Sequence, residues 1–197
     1  MVSLNYRLAP GALWPAQIED CKAAIRWLKA HAEQYGYDPN RIGVIGESAG
    51  AQLVAILCTT SGTKKFDTGE NLDRSSDVSC AVDLFGPTDF TAPEMGADEG
   101  AIAIFGGPIK EHMDAARAAS PIYYIHPNQP PILVIQGTFN ATRTNFEGTG
   151  GGIGLFEDPM VEPLIFGFFR HYLLENKKDL FTGVGVSATQ LPSGSGK

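Results

Sequence analysis

Between residues 16 and 35, Ile18, Cys21, Ala24, Ile25, Leu28 and His31 recur at three- and four-residue spacing, while Glu19, Lys22, Arg26 and Lys29 fall on the other side. That period is the signature of an α-helix with one buried stripe, and Pro15 is placed to open it. Gly36 and the turn-forming Asp38-Pro39-Asn40 predict its end. Residues 2–6 alternate like a strand until Pro10-Gly11, and Ile42-Gly43-Val44-Ile45 is short and β-branched enough to predict a buried strand. Strand, helix, strand is a βαβ unit, so a parallel sheet is expected.

The pattern continues with a helix over residues 49–58 and a Gly-, Ser-, Asp- and Lys-rich surface loop over 61–79. A second buried strand is predicted over 80–85, and a further strand over 132–135, behind two prolines. Between them, residues 86–119 form a long, mostly polar excursion with a helix expected near 110–118. Excursions of that length between core elements usually cover a site. Leu164, Ile165, Phe168, Phe169, Tyr172 and Leu173 predict an apolar helix docked on the sheet, and residues 182–197, with Ser193-Gly194-Ser195-Gly196, a flexible tail. The fold class expected is α/β, a three-layer αβα sandwich around a mostly parallel sheet, with one domain over 1–181.

Composition narrows the function more than the fold. A chain of 197 residues with 43% apolar content supports one core, and a net charge of -7 argues against nucleic acid or an anionic membrane surface as partner. Cys21, Cys58 and Cys80 are an odd count without CxxC or metal-ligand spacing, so they are expected reduced and packed, with no metal and no cofactor. No apolar stretch reaches the ~18 residues of a membrane span. The first residues lack a secretion signal's charged start and apolar core, which predicts a cytoplasmic chain if Met1 is the true start. A chain that opens on a strand-like segment leaves an upstream signal an open alternative.

The stretch Arg41-Ile42-Gly43-Val44-Ile45-Gly46-Glu47-Ser48-Ala49-Gly50 carries the candidate chemistry. A serine hydroxyl is a weak nucleophile at neutral pH, so a hydrolase must expose it, take its proton and stabilise an oxyanion. A Gly-x-Ser-x-Gly turn between a buried strand and a helix presents the serine in a strained conformation. Gly46 and Gly50 are expected where a Cβ would collide, with the Ala49 N–H at the helix N-terminus aimed at the oxyanion. Alone, the five residues also describe a glycine-rich turn; the strand before and the helix after favour a nucleophile elbow.

Beyond the elbow, Asn5-Tyr6-Arg7-Leu8-Ala9-Pro10, Trp14-Pro15-Ala16, Arg26-Trp27-Leu28 and Asp38-Pro39-Asn40-Arg41-Ile42 resemble the α/β-hydrolase esterases of the hormone-sensitive-lipase type. The match looks closest to small bacterial relatives of lipase/esterase or feruloyl-esterase-like kind. Asp83-Leu84-Phe85-Gly86-Pro87-Thr88-Asp89-Phe90, Gly106-Gly107-Pro108, Ser120-Pro121-Ile122 and Pro130-Pro131-Ile132-Leu133 extend it. The resemblance implies a serine carboxylic ester hydrolase acting through an acyl-enzyme on Ser48, with a small-molecule ester as substrate.

Three family features do not match. A glycine-rich HGG loop, the second oxyanion donor, would precede Asn5-Tyr6-Arg7 and is not in the sequence. The strand leading into it would lie between residues 2–6 and 42–45, so those two segments must pair directly or leave a gap. Asn140 stands in the slot of the family's acid, with Gln136 in that of the histidine before it, and Gly151 stands where the resemblance expects the catalytic histidine. The short span between Gln136 and Gly148 suggests a deleted helix and strand. His31, His112, His126 and His171 read as surface or capping histidines, and Asp89 and Glu47 as structural. Glu157-Asp158-Pro159 reads as the cap of the final helix, and the glycines from Gly148 to Gly154 fit no nucleotide-binding pattern. The expectation is weak activity or none from this chain alone. The alternatives are a non-catalytic α/β-hydrolase-like binding protein and a prolyl-oligopeptidase-like serine peptidase. Oligomeric state and acyl specificity are left open.

Overall fold

The computed structural model describes residues 1–136 and 161–177. In chain order the principal elements are α1 (Ala16–Ala30), α2 (Ala32–Tyr35), β1 (Gly43–Glu47), α3 (Ala49–Thr59), β2 (Cys80–Leu84), α4 (Glu99–Phe105), α5 (Met113–Ala118), β3 (Ile132–Ile135) and α6 (Val161–Phe169). The strands form a parallel sheet in the order β1-β2-β3. Gly46 lies opposite Asp83, and Asp83 opposite Val134.

Alternation along β2 sorts its side chains to two helical layers. Ala81 joins Leu53, Val54, Ile56, Leu57 and Cys58 of α3 and Ile18, Cys21 and Ile25 of α1 in one core. Cys80, Val82 and Leu84 pack with Phe168 of α6 on the opposite face. Gly43 belongs to that second face, where a Cβ would meet Phe169 and Leu173 side chains at 2.8–2.9 Å. The three-layer αβα sandwich with a parallel sheet is thus present, and the apolar helix near the C-terminus docks as its stripe predicts.

All five residues of β2 are buried, because it is central and covered on both faces. Cys21, Cys58 and Cys80 are free thiols, all buried. Burial pushes the Cys21 and Cys80 thiols up to about 12, which makes them packing groups rather than nucleophiles.

Several expectations need correction. Residues 2–6 form no strand. A strand is held by a ladder, and no backbone hydrogen bond joins this segment to β1 among the described residues. The gap is left open: the segment packs Tyr6 against the first core and is tied by Arg7, whose backbone N–H and guanidinium both bond Asp20. The long amphipathic helix breaks at His31, and Gly36, at φ 71°, closes the short α2. In the excursion the helix near 110–118 begins only at Met113, and α4 adds a helix that the polar pattern did not announce.

Lys22 and Arg26, expected on a solvated face, are 1% and 0% exposed. The loop over 61–79 folds across that face of α1. Asp67 lies 3.6 Å from Lys22 and 3.1 Å from Arg26, and Arg26 also donates to the carbonyls of Thr68 and Glu70. Helical periodicity identifies which residues share a face, but not whether a later loop covers it. The expected tail over 182–197, Gly148–Gly154 and the Glu157-Asp158-Pro159 cap lie outside the described residues.

Candidate active site

The candidate site sits where β1 runs into α3, at the carboxyl end of the parallel sheet, the usual place for a ligand in open α/β folds. Ser48 occupies the N-cap with φ 52° and ψ -114°. A Cβ-bearing residue at positive φ costs of order 1–3 kcal/mol, a strain that persists only when surrounding structure enforces it. Two backbone bonds do so: Ser48 N–H donates to Leu84 O at 3.0 Å, and Gln52 N–H donates to Ser48 O at 3.1 Å.

The N-cap hydroxyl would ordinarily bond the first turn of its helix, but Ser48 makes no such bond. The residue is exposed. Ala49, also exposed, is the first residue of α3, and its N–H is one of the amides without an intrahelical partner. The exposed serine and the first free amide of α3 therefore stand adjacent.

The glycines divide. A Cβ on Gly46 would lie 2.2 Å from Gly50 O and 2.3 Å from Gly50 C, so only glycine allows strand and helix to meet this closely. At Gly50 the expected collision is absent: nothing among the described residues lies within 4 Å of its Cβ position, because that direction opens to the surface rather than to a neighbouring strand. Glu47, like Ser48, is exposed.

Two features around the elbow lie in the stretch 83–90 that matched the family, but their local roles were not read from the sequence. Phe85 follows β2 at φ 51°, a second strained turn, and donates its N–H to Ile135 O at 2.9 Å. Asp83 is 1% exposed on the sheet face that carries α3, and its Oδ1 accepts the Gly86 N–H at 2.8 Å. Burial raises the Asp83 carboxyl above the usual aspartate range, partly offset by the Gly86 bond. The need for glycine at 86 is tertiary: a Cβ there would meet Ala51 Cβ and Gln52 N at 2.7 Å.

The excursion over 86–119 packs against α3, the helix that follows Ser48. Phe90, Ala101, Phe105, Ile109, Ala116 and Ala119 give it a small core of its own. It is fastened to α3 by Gln52, whose Nε2 donates to Ala119 O, and closed by Ser120 Oγ, which accepts from Phe90 N–H and donates to Ala116 O.

Asn140 and Gly151, the slots of the acid and the histidine, lie outside the described residues. Among the described residues the Ser48 hydroxyl has no hydrogen-bond partner. His31 stacks on Trp27 at 4.1 Å and sits 2.8 Å from the Trp27 carbonyl, His112 caps α5, and His171 packs edge-on to Tyr172 at 4.6 Å. His126 has a buried Nε2 without a partner among the described residues. No group of three or more His, Cys, Asp or Glu is placed to hold a metal ion among the described residues, nor is any helix there long and apolar enough to cross a membrane.

Comparison with known proteins agrees with this geometry. The BD-FAE family model matches residues 1–142. The chain is 32% identical over 195 residues to the probable carboxylic ester hydrolase LipM of Mycobacterium tuberculosis, covering 94% of this chain and 45% of LipM. To esterase LipC of the same organism it is 33% identical over 142 residues, 70% of this chain and 35% of LipC. Among solved structures, a truncated carbohydrate esterase from gut microbiota superposes with a TM-score of 0.64 at 33% identity, covering 68% of this chain and 53% of that one. An acetyl ester-xyloside bifunctional hydrolase from Caldicellulosiruptor lactoaceticus superposes with a TM-score of 0.54 at 30% identity, covering 66% and 47%. The chain spans less than half the length of the two curated relatives. With the strained serine between strand and helix, the αβα layers and this similarity together, the chain belongs to the BD-FAE family of α/β-hydrolase carboxylic ester hydrolases.

Proposed function

We propose that this chain carries the nucleophile of a serine carboxylic ester hydrolase, with Ser48 as the attacking residue and the Ala49 N–H as an oxyanion donor. The observation that supports this best is the backbone of Ser48, φ 52° and ψ -114°, which holds an exposed hydroxyl at a strand-to-helix turn. In the reaction Ser48 Oγ adds to the ester carbonyl, the developing oxyanion is held by the helix N-terminus, and the alcohol leaves with a proton. Water then attacks the acyl-Ser48 ester and releases the carboxylic acid. Both steps need a base.

Asn140 and Gly151 are the positions the family would use for acid and base, and neither side chain can accept the serine proton at neutral pH. Without a base, the oxyanion donor and substrate binding are left to supply the rate, so turnover by this chain alone is expected to be slow or absent. A small-molecule ester is the substrate class; the relatives named as carbohydrate esterases suggest an acylated sugar as the first to try.

The test is labelling with a fluorophosphonate probe, with Ser48→Ala as control, followed by turnover of p-nitrophenyl acetate. Labelling that disappears in the variant is the expected result. A folded chain that takes no label sinks the nucleophile assignment and favours the non-catalytic binding reading.

A further inference from the structure

Asp83 stands out as a buried carboxyl with one hydrogen bond, from Gly86, and no cation paired to it among the described residues. Its place in the ladder is directly beside Gly46, on the face that carries α3. The space a Gly46 side chain would need is taken by the Gly50 backbone, so Asp83 lies in the sheet beside the tightest contact between β1 and α3. Three residues on, Gly86 is pressed flush against Ala51 and Gln52 in the first turns of α3. Between them the chain passes through Leu84, whose carbonyl receives the Ser48 N–H, and Phe85, held at φ 51°.

We propose that Asp83 is a positioning residue for the nucleophile elbow: by accepting the Gly86 N–H it holds the left-handed turn at Phe85, and so aims the Leu84 carbonyl that anchors strained Ser48. Each strained residue supports the other. Phe85 at positive φ is disfavoured unless the turn is tied at both ends, and its ties are the Phe85 N–H to Ile135 O and the Gly86 N–H to Asp83. Releasing the second lets the turn relax toward negative φ, which reorients the Leu84 carbonyl and loosens the Ser48 amide. The function of this device rests on the nucleophile reading of Ser48, but its geometry does not.

Amide hydrogen exchange, read residue by residue by NMR, tests it. In the unsubstituted chain Gly86 and Ser48 exchange through one shared opening, with the same dependence on low urea. Asp83→Leu, which keeps bulk but removes the acceptor, raises exchange at both amides about tenfold, the upper end for one hydrogen bond. It leaves Ala81 and Val82 unchanged. Asp83→Asn, whose amide oxygen still accepts, restores both.

Fluorophosphonate labelling of Ser48 follows the same order, slow in Asp83→Leu and near normal in Asp83→Asn. The proposal is overturned if Gly86 responds and Ser48 does not, if the two amides open independently in the unsubstituted chain, or if Asn fails to rescue. A chain that takes no label at all strikes the nucleophile reading, while exchange still decides the role of Asp83.

Discussion

The two glycines of the elbow are predicted to respond to the same substitution with opposite signs. At Gly46 an added methyl would sit 2.2 Å from Gly50 O, 2.3 Å from Gly50 C and 2.7 Å from Ala51 N. Comfortable contacts to carbon are near 3.5 Å, so the overlap exceeds 1 Å, and it is with backbone that cannot rotate away. Relief requires moving the first turn of α3 off β1, which stretches the Ser48-to-Leu84 and Gln52-to-Ser48 bonds. Overpacking of this kind costs about 1–3 kcal/mol, and weakening a buried backbone bond about 1–3 more, so Gly46→Ala should lose roughly 3 kcal/mol or more.

At Gly50 nothing lies within 4 Å of the new methyl, and the residue is already helical. There Gly50→Ala should gain up to about 1 kcal/mol from helix propensity. Urea unfolding followed by far-ultraviolet circular dichroism measures both. With a slope of about 2 kcal/mol/M, the midpoint falls by about 1.5 M for Gly46→Ala and rises by up to about 0.5 M for Gly50→Ala. Equal midpoints for the two variants, or a Gly50→Ala loss as large as that of Gly46→Ala, would refute the close approach of β1 and α3 as the reason for this motif's first glycine.

Other substitutions probe the strain and the buried charges. Ser48→Gly relieves a left-handed backbone worth about 1–3 kcal/mol against an entropic cost of about 0.5–1 kcal/mol, so it should be at least as stable as Ser48→Ala in thermal unfolding; a less stable glycine variant contradicts the strain. Asp67→Ala leaves the buried Lys22 and Arg26 without their carboxylate and should cost roughly 3–5 kcal/mol by denaturant titration, far beyond a surface ion pair; a loss under about 1 kcal/mol would show that the pairing is not needed.

Asp83 supplies a pH dependence. Its native carboxyl holds its proton to higher pH than the unfolded one, so its contribution is fully present below the ordinary aspartate range, near 4, and is lost as pH rises through the raised native value. Stability of the unsubstituted chain relative to Asp83→Asn should therefore decline with rising pH across that window; a difference that is flat with pH, or rises, refutes the unpaired burial.

The hydrophobic periods along the chain were enough to establish the class of this fold. Residues 132–135, behind two prolines, became β3, and the apolar run around Phe168 became α6, whose Phe168 packs on the face of β2. The elbow was legible for a related reason: Gly-x-Ser-x-Gly between a strand and a helix is a local constraint, and local constraints are written in consecutive residues. Residues 2–6 show the limit, since alternation supplies a strand's faces but not the neighbour its backbone must bond. Lys22 and Arg26 show it again, because a charged face is buried only when a segment far along the chain returns with Asp67 to neutralise it. Asp83 and Phe85 belong to the same class. The burial of one and the left-handed turn of the other arise from α3 packing on β2, an event between residues distant in sequence that no periodicity records.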